Sequence, residues 1–243
     1  MSIPYKTALV TGAGSGVGQA TAIQLAGLGL NVALLGRNRD KLETTAKQLP
    51  KGAESLIEPC DVADRAAVNQ AAKTVLGAFG SIDVLVCNAG INVPKRSLET
   101  LSPEDFDRML ATNLTGVFNL VHAVLPSMRA NQRGLVVQIC SVSGKRASTL
   151  GGAGYSASKF GQAALGLCLG REERLHGIRS TVIYPGEINT PILDNRPVPV
   201  PPERRERILQ GEDIASIVRF LVELHPRVSI PELVVTPSVD EWY

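Results

Sequence analysis

The chain has 243 residues, a length that suits one large α/β domain with a substantial core; splitting it would leave each half short of a sheet. Its formal net charge is +2 with the basic residues scattered, so no stripe offers a groove to nucleic acid. No apolar run reads as long enough to span a membrane, and the N-terminus enters a strand pattern almost at once, leaving no room for a signal peptide. The expectation is one domain over residues 1–243, cytoplasmic, bound neither to nucleic acid nor to a membrane.

The first apolar run, residues 7–10, reads as a buried strand. It leads into the turn Thr11-Gly12-Ala13-Gly14-Ser15-Gly16-Val17-Gly18, and residues 17–28 then read as a helix with apolar Val17, Ala20, Ile23, Leu25 and Leu28. Strand, glycine turn and helix open a nucleotide-binding βαβ unit. Glycines bring backbone N–H groups close to a phosphate without an intervening Cβ, and the helix N-terminus adds partial positive charge. The spacing is Gly-x-x-x-Gly-x-Gly, which departs from the Gly-x-Gly-x-x-Gly of the long-chain dinucleotide enzymes.

The second strand, residues 31–35, ends at Gly36-Arg37. An acidic side chain there would accept the ribose 2′-hydroxyl of NAD, whereas an arginine accommodates the 2′-phosphate of NADP. Gly36 offers no carboxylate and Arg37 offers a guanidinium, so NADP(H) is expected over NAD. The competing reading is that Arg37 and Arg39 decorate an exposed turn while Asp40 caps the next helix.

Further strand patterns cover residues 54–58, 84–87, 135–140, 179–183 and 233–236, with amphipathic stretches between them. Apolar strands alternating with helices imply an α/β, Rossmann-like, doubly wound parallel sheet of about seven strands, with helices on both faces. Ligands of such sheets bind outside the carboxyl ends of the strands. Gly12, Arg37, Asp61, Asn88-Ala89-Gly90, Ser141 and Pro185-Gly186 all fall at such ends. A proline-rich stretch, residues 185–202, reads as a surface loop over that crevice and a substrate lid. The mixed charges of residues 203–207 read as a solvated helix face. Cys60, Cys87, Cys140 and Cys168 are too far apart for a zinc site or a disulfide framework and read as buried free thiols; no metal is expected.

Tyr155-Ser-Ala-Ser-Lys159 places a phenol and an ammonium on one helix face, four residues apart. The ammonium would favour the ionised phenol and bring its usual pKa of ~10 toward neutrality.

Taken in this order, the residues resemble the short-chain dehydrogenase/reductase family. The resemblance implies that Gly12, Gly14, Ser15, Gly16, Val17 and Gly18 form the cofactor turn, that Asp61 and Val62 are the adenine-contacting segment, and that Asn88, Ala89 and Gly90 are the Asn-Ala-Gly element. Asn113, in Asn113-Leu-Thr-Gly116, matches the family's structural and catalytic asparagine; Ser141, Tyr155 and Lys159 match its other catalytic residues. Pro185, Gly186, Ile188 and Thr190 fall where the family holds the nicotinamide end.

The implied reaction moves a hydride between NADPH and an alcohol/carbonyl substrate. Negative charge then develops on the carbonyl oxygen, which must be stabilised and protonated. Tyr155 would be the acid in reduction and the base in oxidation. Ser141 would hydrogen-bond the same oxygen, with Ser143 the alternative because the register leaves both in range. Lys159 would depress the tyrosine pKa and hold the nicotinamide ribose, and Asn113 would anchor a relay water.

Ser143, Lys145, Arg146, Glu187 and Asn189 are further candidate substrate contacts. Residues 224–237 are similar to the end of the serine and 3-hydroxy acid dehydrogenases, so that activity stands beside 3-oxoacyl or general carbonyl reduction. A non-catalytic NADP-binding sensor or scaffold on the same fold is the alternative class, although it would be expected to lose Tyr155 or Lys159. The helix at residues 155–175 is apolar on more than one side, at Phe160, Ala163, Ala164, Leu167, Cys168 and Leu175, which points to a homodimer or homotetramer.

Overall fold

The seven apolar segments form one parallel sheet: β1 (Thr7–Thr11), β2 (Asn31–Gly36), β3 (Ser55–Pro59), β4 (Val84–Cys87), β5 (Gly134–Ile139), β6 (Ile178–Pro185) and β7 (Glu232–Val235). The computed structural model describes residues 3–239. Strands run in the order β3-β2-β1-β4-β5-β6-β7. β1, β4, β5 and β6 are buried along their whole length, and partly exposed residues recur in the edge strands β3 and β7.

Alternate strand residues serve two cores. Val10, Leu34, Val86 and Val137 face a layer that contains Leu25 of α1 (Gly16–Gly27) and Val218 of α8 (Gly211–Glu223). Leu9, Leu35, Leu85 and Val136 face Val75 of α3 (Arg65–Phe79), Leu120 of α5 (Gly116–Ala130) and Leu169 of α6 (Ala153–Glu172). Of the remaining helices, α2 (Arg39–Ala46) follows β2, α4 (Pro103–Leu110) precedes α5, and α7 (Pro202–Arg207) precedes α8.

Local chemistry sets the helix starts. Asp64 caps α3 by accepting from the N–H groups of Ala66 at 2.8 Å and Ala67 at 3.0 Å. Ser102 caps α4 through Asp105 N–H at 3.1 Å, with Pro103 at the first helical position. At α8, Gln210 and Asp213 form a capping box.

Two expectations about elements need correction. α4 and α5 join through a π-helical turn, Ala111–Thr115, into one helical run, Pro103–Ala130, that by length and composition alone could cross a membrane. The run was not foreseen because α4 opens with charged residues. Its Met109, Val117, Leu120, Val124 and Met128 are buried in this fold. Cys60, Cys87 and Cys140 are buried free thiols, but Cys168 is exposed on α6.

The order of strands reverses between β1 and β4. β1 is followed through α1 to β2 on one side, and the chain later returns to place β4 on the other. The loops leaving these strands therefore part, and a crevice opens at the carboxyl ends of the sheet.

Candidate active site

One crevice of about 530 Å³ is lined by Gly12, Arg37, Asp61, Asn88, Ser141 and Pro185, so the six strand ends singled out in the sequence do converge. Gly12 and Gly16 adopt φ of 63° and 52°, a region that side-chain-bearing residues rarely adopt. Ser15 stands at the N-cap of α1 without a side-chain cap, and the first turn carries no acidic residue. The N–H groups at this helix end therefore keep their partial positive charge toward an incoming anion. A pyrophosphate fits such a cradle.

Gly14, Ser15, Gly16 and Val17 line the crevice as expected, whereas Gly18 does not. A β-carbon at Gly18 would press on the Gly12 carbonyl oxygen and lie 2.5 Å from Asn88 Nδ2. Gly18 thus lets α1 close on the turn. Asn88 is also partly structural: its Nδ2 donates to Thr11 O at 2.9 Å, while its backbone N–H donates to Thr11 Oγ1 at 3.0 Å. Ala89, Gly90, Asp61 and Val62 line the crevice beside it. Asp61 Oδ1 accepts from Ala63 N–H at 2.9 Å, and Val62 O accepts from Asn119 Nδ2 at 3.1 Å.

Beyond β2, Arg37 is exposed on the crevice rim. Asn38, not Asp40, caps α2 by accepting from Lys41 N–H at 3.0 Å, and Arg39 pairs with Glu43 at 3.9 Å. Lys41 also lines the crevice. A β-carbon at Gly14 would lie 2.9 Å from that of Lys41, so the lysine stem packs directly on the glycine turn. Nothing in the sequence pattern marked Lys41, because its approach to Gly14 joins two separate βα loops.

At the other end, Tyr155 is half-buried near the start of α6. Burial pushes its phenol up to about 12; Cys140 adds to this, while a hydrogen bond with the Ser141 side chain and the cations Arg96 and Arg196 oppose it. This differs from the expected depression by Lys159. The lysine Nζ lies 5.7 Å from the Tyr155 ring centre and donates to Ile139 O at 3.1 Å and Gln162 Oε1 at 2.8 Å. A shared helix face brings the two side chains together, but carbonyl acceptors on β5 and α6 hold the ammonium.

Ser141 engages Tyr155, while Ser143 lines the crevice and donates its backbone N–H to Ser141 Oγ at 3.1 Å. Asn113 is fully buried and does not line the crevice. Its Oδ1 accepts from Ile91 N–H at 2.8 Å; its Nδ2 donates to Ile91 O at 2.9 Å and Ser158 Oγ at 3.0 Å. The side chain is occupied in pinning the backbone after β4. The π-helical turn that carries it is a distortion often found at functional sites.

Residues 6–198 match the model of the short chain dehydrogenase family. The chain belongs to the short-chain dehydrogenase/reductase family. It is 38% identical over 236 residues to an uncharacterised short-chain type dehydrogenase/reductase of Sinorhizobium fredii, covering 91% of each chain. An alcohol dehydrogenase from the archaeon Thermococcus sibiricus, solved with 5-hydroxy-NADP, superposes with a TM-score of 0.87 at 32% identity, over 97% of this chain and 98% of that one. A 3-ketoacyl-(acyl-carrier-protein) reductase from Brucella melitensis, solved with NADH, gives a TM-score of 0.87 at 27% identity, over 96% and 97%.

In this short-chain dehydrogenase, the stretch after β6 covers the crevice as the sequence implied: Gly186, Ile188 and Thr190 line it, and a 3-10 turn, Pro191–Asn195, follows. Glu187 and Ser143 reach the crevice. Lys145, Arg146 and Asn189 are not among its lining. Lys145 turns away to Glu232 at 2.7 Å, and Asn189 donates to Gln210 at 3.0 Å. The 203–207 patch is more than a solvated face, since Arg204 pairs with Glu187 at 2.7 Å and Arg205 with Asp194 at 2.7 Å. Arg96 and Arg196 line the crevice without having been foreseen. Cys60 and Cys87 are pushed up to about 11 and about 12, both mainly by burial, so their thiols stay protonated at neutral pH. Among the described residues, no group of three His, Cys, Asp or Glu could hold a metal ion.

Gly18→Ala should overpack the α1 turn at a cost of roughly 1–3 kcal/mol and weaken binding of a nicotinamide dinucleotide in the crevice. Thermal unfolding and a fluorescence titration check this; unchanged values in both would remove Gly18 from the packing of the turn.

Proposed function

We propose that the chain is an NADP(H)-dependent oxidoreductase acting on an alcohol/carbonyl pair, with Tyr155 as its general acid and base. The observation that carries this reading is the joining, in one crevice, of an uncapped helix N-terminus at one end with Tyr155, Ser141 and Lys159 at the other. The residues fit a dinucleotide along that length, and the bound nicotinamide would donate or accept the hydride.

Tyr155, held near 12 by burial, stays protonated at neutral pH and is ready to donate to a carbonyl oxygen. Ser141 supplies a second donor to that oxygen. Lys159 lies deep in the same wall and would hold the ribose together with Tyr155. Asn113 fixes Ile91, and a β-carbon at Gly90 would lie 3.6 Å from Lys159 Nζ, so the backbone after β4 passes directly over the ammonium.

Arg37 and Lys41 support NADP over NAD, since both can meet a 2′-phosphate and no carboxylate stands at Gly36. The Thermococcus enzyme binds an NADP derivative and the Brucella enzyme binds NADH, so the shared fold leaves the choice to these side chains. A symmetric dimer or tetramer is supported by Phe118 on α5 and Phe160 on α6, which are 42% and 44% exposed, with Ala164 also exposed along the same α6 face.

NADPH should bind the purified protein more tightly than NADH, and Arg37→Asp should reverse the order; equal or tighter NADH binding by the native protein rejects the assignment. Tyr155→Phe should lower turnover roughly 10²–10⁴-fold with little change in NADPH affinity. The native enzyme should oxidise alcohols faster as pH rises toward the phenol value, because a raised pKa means that only alkaline solution frees the base. Near-normal turnover by the Phe variant would rule out the mechanism. Light scattering at micromolar protein should give a dimer or tetramer mass, and a monomer mass would reject the interface.

A further inference from the structure

Arg96 lies in the loop after β4, is only 6% exposed, and lines the same crevice as Tyr155 and Ser141. Its Nε donates to Val93 O at 2.8 Å, its Nη1 to Leu150 O at 2.9 Å, and its Nη2 to Asn195 O. All three acceptors are neutral carbonyls. A guanidinium has five N–H donors, so these three bonds leave two.

Among the described residues, no carboxylate is paired with Arg96. Glu187, the acidic group in this part of the crevice, is shared between Arg196 at 2.8 Å and Arg204 at 2.7 Å. Burial and the Arg196 cation both work against the charge on Arg96. Buried charges are ordinarily paired, because an uncompensated ion loses its hydration without recovery. A neutral amide could bond to loop carbonyls without that cost. The guanidinium is therefore suited to more than strapping three loops together.

We propose that the two remaining N–H groups of Arg96 receive a carboxylate of the substrate, which makes the substrate an oxo acid or hydroxy acid rather than a neutral ketone, aldehyde or alcohol. Two parallel donors match the two oxygens of a carboxylate. The inference rests on the reading of Tyr155 as proton donor, since that phenol fixes where the reacting oxygen lies. Arg96 and Tyr155 feel one another's charge, and the cation eases ionisation of the phenol. A carboxylate that neutralises Arg96 removes this influence and keeps the phenol protonated for reduction. The carboxylate itself is unchanged: the carbonyl carbon gains a hydride from NADPH, its oxygen gains the Tyr155 proton, and NADP⁺ remains.

Protein saturated with NADP⁺ is titrated calorimetrically with short 2- and 3-hydroxy acids and their methyl esters, and the matching oxo acids and esters are followed by NADPH oxidation. At least one acid should bind at least tenfold tighter than its ester and be reduced with a correspondingly higher kcat/KM. Arg96→Gln should abolish that difference and Arg96→Lys should restore part of it, with the variants' NADPH affinity and melting temperature reporting their fold. Esters bound and reduced as well as acids by the native protein overturn the proposal even if the variants do not fold, as does the absence of acid binding at millimolar concentration. An equal loss for acid and ester in folded Arg96→Gln also overturns it, leaving Arg96 as a strap. Arg96-dependent acid binding without turnover of any compound would keep the anion site and reject the oxidoreductase reading instead.

Discussion

The site depends on backbones meeting at close range where β1 gives way to α1. The Thr11 hydroxyl donates to Val86 O at 3.2 Å and accepts from the N–H groups of Asn88 at 3.0 Å and Ala89 at 3.1 Å. One side chain thus ties the end of β1 to the end of β4, the two strands between which the sheet order reverses. Gly18 allows α1 to close over this knot, and the uncapped helix end, Ser15 to Val17, thereby lines the crevice. Without that approach, the same strands would still form a sheet, but the helix dipole would have no fixed direction relative to Tyr155 and Lys159.

A second close approach sets the height of Tyr155 and Lys159. A β-carbon at Gly154 would run into Met109 of α4, and one at Gly166 would lie 2.5 Å from Val182 Cγ2 of β6. α6 therefore lies tight against both, and Tyr155 and Lys159 project at a level set by packing. Depth then decides their chemistry. Burial raises the phenol and lowers the ammonium, so each is pushed toward its neutral form. Hydrogen bonds to Ile139 O and Gln162 keep the ammonium satisfied in that environment.

Cations lie at both ends of the crevice and differ in kind. Arg37 and Lys41 stand at an open rim after β2, where solvent screens them and long side chains can adjust. Arg96 is buried and held by three carbonyls, so its fork has a set direction. An open rim suits a mobile phosphate, and a fixed fork suits a group whose distance from the reacting carbon must be constant.

Much of this was legible in the sequence, since strand and helix periods, the glycine turn and the Tyr155/Lys159 spacing are local properties. The parallel sheet, its two helical layers and the gathering of Gly12, Arg37, Asp61, Asn88, Ser141 and Pro185 follow from alternation and right-handed crossover. What a side chain does at its position was less legible. Gly18 and Asn113 match motif positions, and the structure adds that Gly18 lets α1 approach Gly12 and that the Asn113 side chain pins Ile91, because their neighbours come from other loops. Lys41, Arg96 and Arg196 carry no motif at all; Lys41 packs on Gly14, Arg96 bonds to Leu150 and Asn195, and Arg196 pairs with Glu187 in its own loop. The sequence by itself determined which elements form and which strand ends meet, since these depend on patterns within short stretches of chain. Only the tertiary structure decided burial, and with it the protonation of Tyr155 and the unpaired charge of Arg96, because desolvation depends on every element packed around a group.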